Sequence, residues 1–165
     1  MSFVVHFLPA ATAVLPDPLG AADDDSDDEA KPLTEAEIDT WNGLHPVLLG
    51  LLPAGTHDLR RTPFSRQLVH DPSGLLVTWA HDDYQASLPF WSVNASPQRF
   101  DTLVRLVEAI ESTTGLVGVD EISQARFLDH HAEVAASFAA IADGFEEAME
   151  SQTVLGWLRR LFHKR

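Results

Sequence analysis

Eight histidines and 25 acidic side chains among 165 residues are the raw material of metal ligation or acid–base chemistry, and their spacing decides whether either is built. His130 and His131 are adjacent, which on a helix directs them about 100° apart. No two histidines have the four-residue separation of an H-E-x-x-H site. His81-Asp82-Asp83 offers an imidazole and two carboxylates, ligand types that suit a divalent ion; His6, His45, His57 and His70 would have to reach it through the fold. Without ligand spacing these histidines read as packing or surface residues, and neither a metal nor a cofactor is expected. The paired carboxylates Asp82-Asp83, Asp120-Glu121 and Glu146-Glu147 could move protons, but chain neighbours point apart, so none forms the facing pair that acid–base catalysis uses. Asp23, Asp25 and Asp27 have the spacing of a calcium loop, which then fails: Asp28 stands at the sharp-turn glycine and Thr34 at the bidentate glutamate.

The chain has no cysteine, which removes thiolate catalysis, Cys-bound zinc and disulfides together. It also lacks a glycine-rich phosphate cradle and a G-x-S-x-G nucleophile elbow. No catalytic residues and no enzymatic activity are expected, so function falls to the surface. Eleven Lys and Arg against 25 Asp and Glu leave a formal net charge of -14. That balance disfavours nucleic acid, whose phosphates are bound by cations, and it speeds encounter with a basic partner. Tyr and Trp dominate binding hot spots. Trp41 and Trp79 occupy apolar periodic positions and read as core, whereas Tyr84, next to Asp82 and Asp83, and Trp91, at a strand end, read as exposed. The expected partner-binding set is Asp82, Asp83, Tyr84, Trp91, Asp120 and Glu121.

These residues need elements to place them. Length and composition fit a single domain over residues 1–165, with 45% hydrophobic and 22% charged residues. An apolar run, Phe3 to Leu8, reads as a first strand. Thr34-Glu35-Ala36-Glu37 is a capping box that should open a helix, with Ile38, Trp41, Leu44 and His45 at helical spacing. Pro46 should break or restart it before Val47, Leu48, Leu51 and Leu52, and Pro53-Ala54-Gly55 should end it. After a polar connection, Arg66 to His70 and Leu75 to His81 read as strands joined by the turn Asp71-Pro72-Ser73-Gly74. Tyr84, Ala86, Leu88 and Phe90 continue the two-residue alternation as a third antiparallel strand; Pro89 cannot donate to a ladder, so this strand should lie at an edge or end there. Ser96-Pro97 caps a second helix with a stripe of Phe100, Leu103, Val104, Val107 and Ile110. Gly115 should stop it, Leu116 to Val119 should form a short strand, and residues 127–162 a last helical region. The order β-α-β-β-β-α-β-α predicts an α+β fold, a mostly antiparallel sheet with helices packed on one face, distantly like a split βαβ arrangement.

Two segments fall outside this scheme. Residues 16–32 gather Pro, Gly, Ala and nearly contiguous acids, the composition of a solvated, mobile loop. Residues 156–165 carry four of the eleven basic residues and no acid, with Trp157, Leu158, Leu161 and Phe162; this basic amphipathic tip should pack on the domain, its cations offsetting the acidic body. No stretch reaches the ~18 continuous apolar residues of a membrane span, and the prolines after Leu8 argue against an export signal. A cytoplasmic protein without stable membrane insertion is expected.

The starting strand Phe3-Val4-Val5-His6-Phe7, the segment Leu88-Pro89-Phe90-Trp91, the run Thr114-Gly115-Leu116-Val117-Gly118-Val119-Asp120 and the Trp-rich basic end together resemble small acidic bacterial immunity proteins of polymorphic-toxin and type VI secretion systems. Val119 stands where such proteins often carry an aromatic, and Glu121 where they carry proline. The resemblance implies inhibition by stoichiometric binding, an acidic surface covering the basic cleft of a toxin. Two other readings stay open: an adaptor or secretion chaperone that uses its C-terminal helix, and a metal-dependent hydrolase centred on His81.

Overall fold

The computed structural model describes residues 2–12, 31–89, 97–137 and 139–140. The expected acidic loop, apart from its last two residues, lies outside the described residues, as do Trp91, the far part of the last helix and the basic tip. The elements are β1 (Ser2–Pro9) with a short 3-10 turn (Ala10–Thr12), α1 (Glu35–Leu51), β2 (His57–Arg61), β3 (Ser65–His70), β4 (Leu75–Ala80), β5 (Asp83–Pro89), α2 (Pro97–Thr114) and β6 (Leu116–Asp120). A further helix, α3, opens at Phe127 and covers residues 127–137.

The six strands among the described residues form one antiparallel sheet in the order β2-β3-β4-β5-β1-β6. The α+β class and the expected order of elements are present. One strand is additional: β2 lies within the stretch that read as a polar connection. Its sequence His-Asp-Leu-Arg-Arg has a single apolar residue, Leu59, so no alternation marks it. The meander β2 to β5 is local, whereas β1 sits between β5 and β6. Because β5 and β6 are each antiparallel to β1, they run parallel to one another, joined through α2. This is the split βαβ arrangement.

The period of two places Phe3, Val5 and Phe7 of β1, Leu68 of β3, Leu75, Val77 and Trp79 of β4, and Ala86 and Leu88 of β5 on one face, and all are buried. Against them pack Trp41, Leu44 and Leu48 of α1, Phe100, Leu103, Leu106, Val107 and Ile110 of α2, and Phe127 and Val134 of α3. The rings of Phe3, Phe100 and Phe127 meet at centroid separations of 5.8–6.1 Å, joining β1, α2 and α3. Gly118 of β6 fits this layer because it has no side chain: a Cβ there would lie 2.9 Å from Val107 Cγ1 and 3.0 Å from Val5 Cγ1.

Two prolines behave according to their surroundings. Pro46 does not break α1, which runs through it to Leu51. The carbonyl that its missing N–H would have engaged, that of Asn42, belongs to an exposed residue on the side where water can replace the lost bond. Pro89 is the last residue of β5, opposite Ser2; the strand is interior and simply ends there. In the β3–β4 turn His70 O accepts from Ser73 N at 3.2 Å and Gly74 N at 2.8 Å. Gly74 has φ +70, a conformation that suits glycine.

Candidate functional site

The two-residue connection between β4 and β5, His81-Asp82, is held by the first turn of α1. The expected capping box forms there: Glu37 N donates to Thr34 Oγ1 at 3.3 Å, and the Glu37 carboxylate accepts from Thr34 N at 2.7 Å. The same carboxylate also crosses to the hairpin. Tyr84 OH donates to Glu37 Oε1 at 2.7 Å, His81 Nδ1 lies 3.2 Å from Oε2, and Trp79 Nε1 donates to the Glu37 main-chain carbonyl at 3.2 Å. The rings of Trp79 and Tyr84 stack with centroids 3.9 Å apart. One glutamate thus ties the start of a helix to a hairpin more than forty residues later in the chain.

Burial pushes the Glu37 carboxyl up, but the hydrogen bonds from Tyr84, from the Thr34 main chain and hydroxyl, and from His81 together outweigh it and hold the group at about 2. Glu37 is therefore an anion throughout the physiological range. Burial first, then the hydrogen bond to Glu37 and the nearby charges of Glu37 and Asp82, push the Tyr84 phenol up, so it stays a neutral donor.

Beyond this brace the chain turns outward. Asp82 has φ 54, in the left-handed region that Asp tolerates, and its side chain is 84% exposed with Oδ2 3.2 Å from His81 Nε2. Asp83 is exposed too and accepts from Gln85 Nε2 at 2.7 Å. The result is a pair of solvent-facing carboxylates on a turn whose base is fixed by aromatic stacking and the half-buried hydrogen bonds of Glu37.

Glu37, His81 and Asp82 offer three ligand atoms within 4.8 Å of one another, a donor set with the chemistry for a divalent ion. The existing bonds compete with that use. Both Glu37 oxygens are already acceptors, and the two nitrogens of His81 address different carboxylates. An ion would have to displace these donors.

At the other end of the sheet Asp120 is fully buried. Its Oδ1 accepts from Ile122 N at 3.0 Å and Ser123 N at 2.8 Å, and its Oδ2 accepts from the Ser123 hydroxyl and lies 2.7 Å from His130 Nε2. Burial pushes this carboxyl up, but the bonds from Ser123 and the bond and charge of His130 outweigh it and hold it below the usual range. Ser123 Oγ is 2.6 Å from the same His130 Nε2. Ser, His and Asp therefore meet, but not as a nucleophilic relay, which sets serine on one ring nitrogen and the carboxylate on the other. The arrangement anchors the loop that leads from β6 to α3. Arg126 extends the anchor, pairing with Glu111 at 2.7 Å while Glu111 accepts from Gly118 N at 2.9 Å.

Of the expected binding residues, Asp82, Asp83 and Glu121 are exposed. Tyr84 is half-buried with its hydroxyl engaged, so it supports the turn more than it presents a free contact. Asp120 does not belong to a contact surface: its carboxylate faces inward to its own loop. Trp91 lies outside the described residues. The structure also separates the two acidic places. Asp83 begins β5 beside Ala80, whereas Glu121 N donates to Val4 O, in the register of Ser87; four residues along the strands separate these levels, roughly 13 Å at the usual rise. Nothing in the sequence assigns Glu37, Ser123 or His130 to these networks. The capping box does mark Glu37, but only for its local role.

No family model, curated protein or solved structure matches the chain.

Proposed function

We propose that the chain is a non-enzymatic acidic binding module, an immunity or inhibitor protein of the cytoplasm that neutralises a basic bacterial toxin by stoichiometric binding. The observation that carries this reading is the Asp82-Asp83 turn. Two exposed carboxylates stand on a base fixed by Glu37, His81, Tyr84 and Trp79, so little ordering is lost when a cation docks. The net charge of -14 supplies the field that steers a basic partner toward them. Glu121 adds a third exposed acid, on the far half of the sheet, within the span of an ordinary protein interface. The same charge opposes nucleic acid as a partner. No described helix is long and apolar enough to cross a membrane, in keeping with a partner met in solution.

Capture from host lysate with the tagged protein, wild type against Asp82→Lys/Asp83→Lys, tests the proposal. A basic protein should be retained in stoichiometric amount by the wild type, less at moderate salt than at low salt, and be lost by the variant. Identical captures by both proteins would overturn the assigned surface. An acidic captured partner would overturn the inhibitor reading itself.

A further inference from the structure

The two edges of the sheet are finished differently. Beyond β6 the chain returns, Val119 bridging antiparallel to Arg126, so that edge is capped. Beyond β2 no described strand follows. An open edge of unpaired N–H and C=O groups is a template for another strand, and we propose that β2 pairs with β2 of a second copy of this chain about a two-fold axis at Leu59.

The phase of the ladder sets which groups are available. Thr62 N donates to Ser65 O and Asp71 N to Thr56 O, in register with the β2–β3 pairs. The even-numbered residues therefore turn their main-chain groups toward β3, and His57, Leu59 and Arg61 turn theirs outward. Two copies related by a two-fold axis at Leu59 place Leu59 opposite Leu59 and His57 opposite Arg61. All three outward residues then form hydrogen-bonded pairs, about six main-chain bonds in total at two per pair.

The side chains select the same register. Asp58 and Arg60 lie on one face of β2, 2.9 Å apart and exposed. With the axis at Leu59, each Asp58 faces the other copy's Arg60, a ring of four alternating charges. The next antiparallel registers that keep the outward groups in phase put Asp58 opposite Asp58 or Arg60 opposite Arg60, and like charges directly opposed are destabilising. Only one register is complementary. Arg60 and Arg61 also make this edge locally basic on a body of net charge -14, which lowers the repulsion that a second copy meets there. The contact is isologous and closes as a dimer.

Charge reversal with rescue tests this. Sedimentation equilibrium of the wild type up to roughly millimolar protein should give a reversible monomer–dimer equilibrium. Arg60→Asp sets carboxylate against carboxylate at both crossings of the axis, and Asp58→Arg sets guanidinium against guanidinium; each should weaken the dimer ~tenfold or more. The double change Asp58→Arg/Arg60→Asp restores opposite charges across the axis and should recover most of the association. All four residues of the ring are exposed, so melting curves should nearly superimpose and report folding separately. A wild type that stays monomeric, single variants that dimerise like the wild type, or a double variant that does not recover would each overturn the pairing. None of these results touches the Asp82-Asp83 reading, which rests on the other end of the hairpin series.

Discussion

Replacing Glu37 by Gln removes one charge from the junction between α1 and the β4–β5 turn while keeping the side chain's size. The carboxyl sits at about 2 against an ordinary 4.5, and at ~1.4 kcal/mol per tenfold change in proton affinity the difference is worth about 3 kcal/mol of stability. The sign follows from the lowered value. The contribution is complete above the ordinary carboxylate range and disappears as pH falls from about 4.5 toward 2. Glu37→Gln should therefore be less stable than wild type at pH 7 by up to about 3 kcal/mol, or roughly 6–12 °C in Tm for a chain of this size. Toward pH 2 the two proteins should converge. Urea unfolding at a series of pH values measures both ends of the comparison. Parallel curves for wild type and variant across the acid range would show that Glu37 is not the anionic brace that these distances describe.

Asp120→Asn should destabilise by about 2–4 kcal/mol in urea unfolding, because the amide brings N–H donors among the donors of Ser123, Ile122 and His130; as Asp120 is held below its usual range, this loss too should shrink as pH falls through that range. Gly118→Ala should cost roughly 1–3 kcal/mol by overpacking, read by the same assay, since the new methyl meets Val107 and Val5 at 2.9 and 3.0 Å. Zinc or manganese should leave the melting temperature unchanged, since Glu37 and His81 are already hydrogen-bonded; a rise with metal concentration would show that Glu37, His81 and Asp82 do hold an ion.

What the chain discloses in one dimension is what local chemistry determines. Leu75, Val77 and Trp79 followed by Tyr84, Ala86 and Leu88 alternate because one face of each strand is buried, so the hairpin is readable without coordinates. Thr34 and Glu37 declare a helix start for the same local reason. β2 is unreadable because an edge strand has little to bury, and Leu59 alone makes no pattern. Pro46 misleads because the penalty of an interior proline depends on whether water can reach the freed carbonyl, a property of the fold. The site divides in the same way. Asp82 and Asp83 are visible as a charged turn, but the choice of Glu37 as their support depends on where α1 lands on the sheet. Asp120 and Glu121 look alike in sequence; the end of β6 turns one inward to Ser123 and His130 and leaves the other in water.

The central place of β1 bears on how the molecule is made. This strand leaves the ribosome before either neighbour exists, since β5 and β6 are encoded far downstream. Until Asp83–Pro89 and Leu116–Asp120 are synthesised, both flanks of an apolar segment, Phe3 to Leu8, stay open. The meander from β2 to β5 closes through short turns and can form early, because nearby contacts are quick to make. β1 must then join after the meander although it is made before it, and α2 must cross before β6 can shut the other side. The interval is one in which the nascent chain offers an aggregation-prone strand to its surroundings.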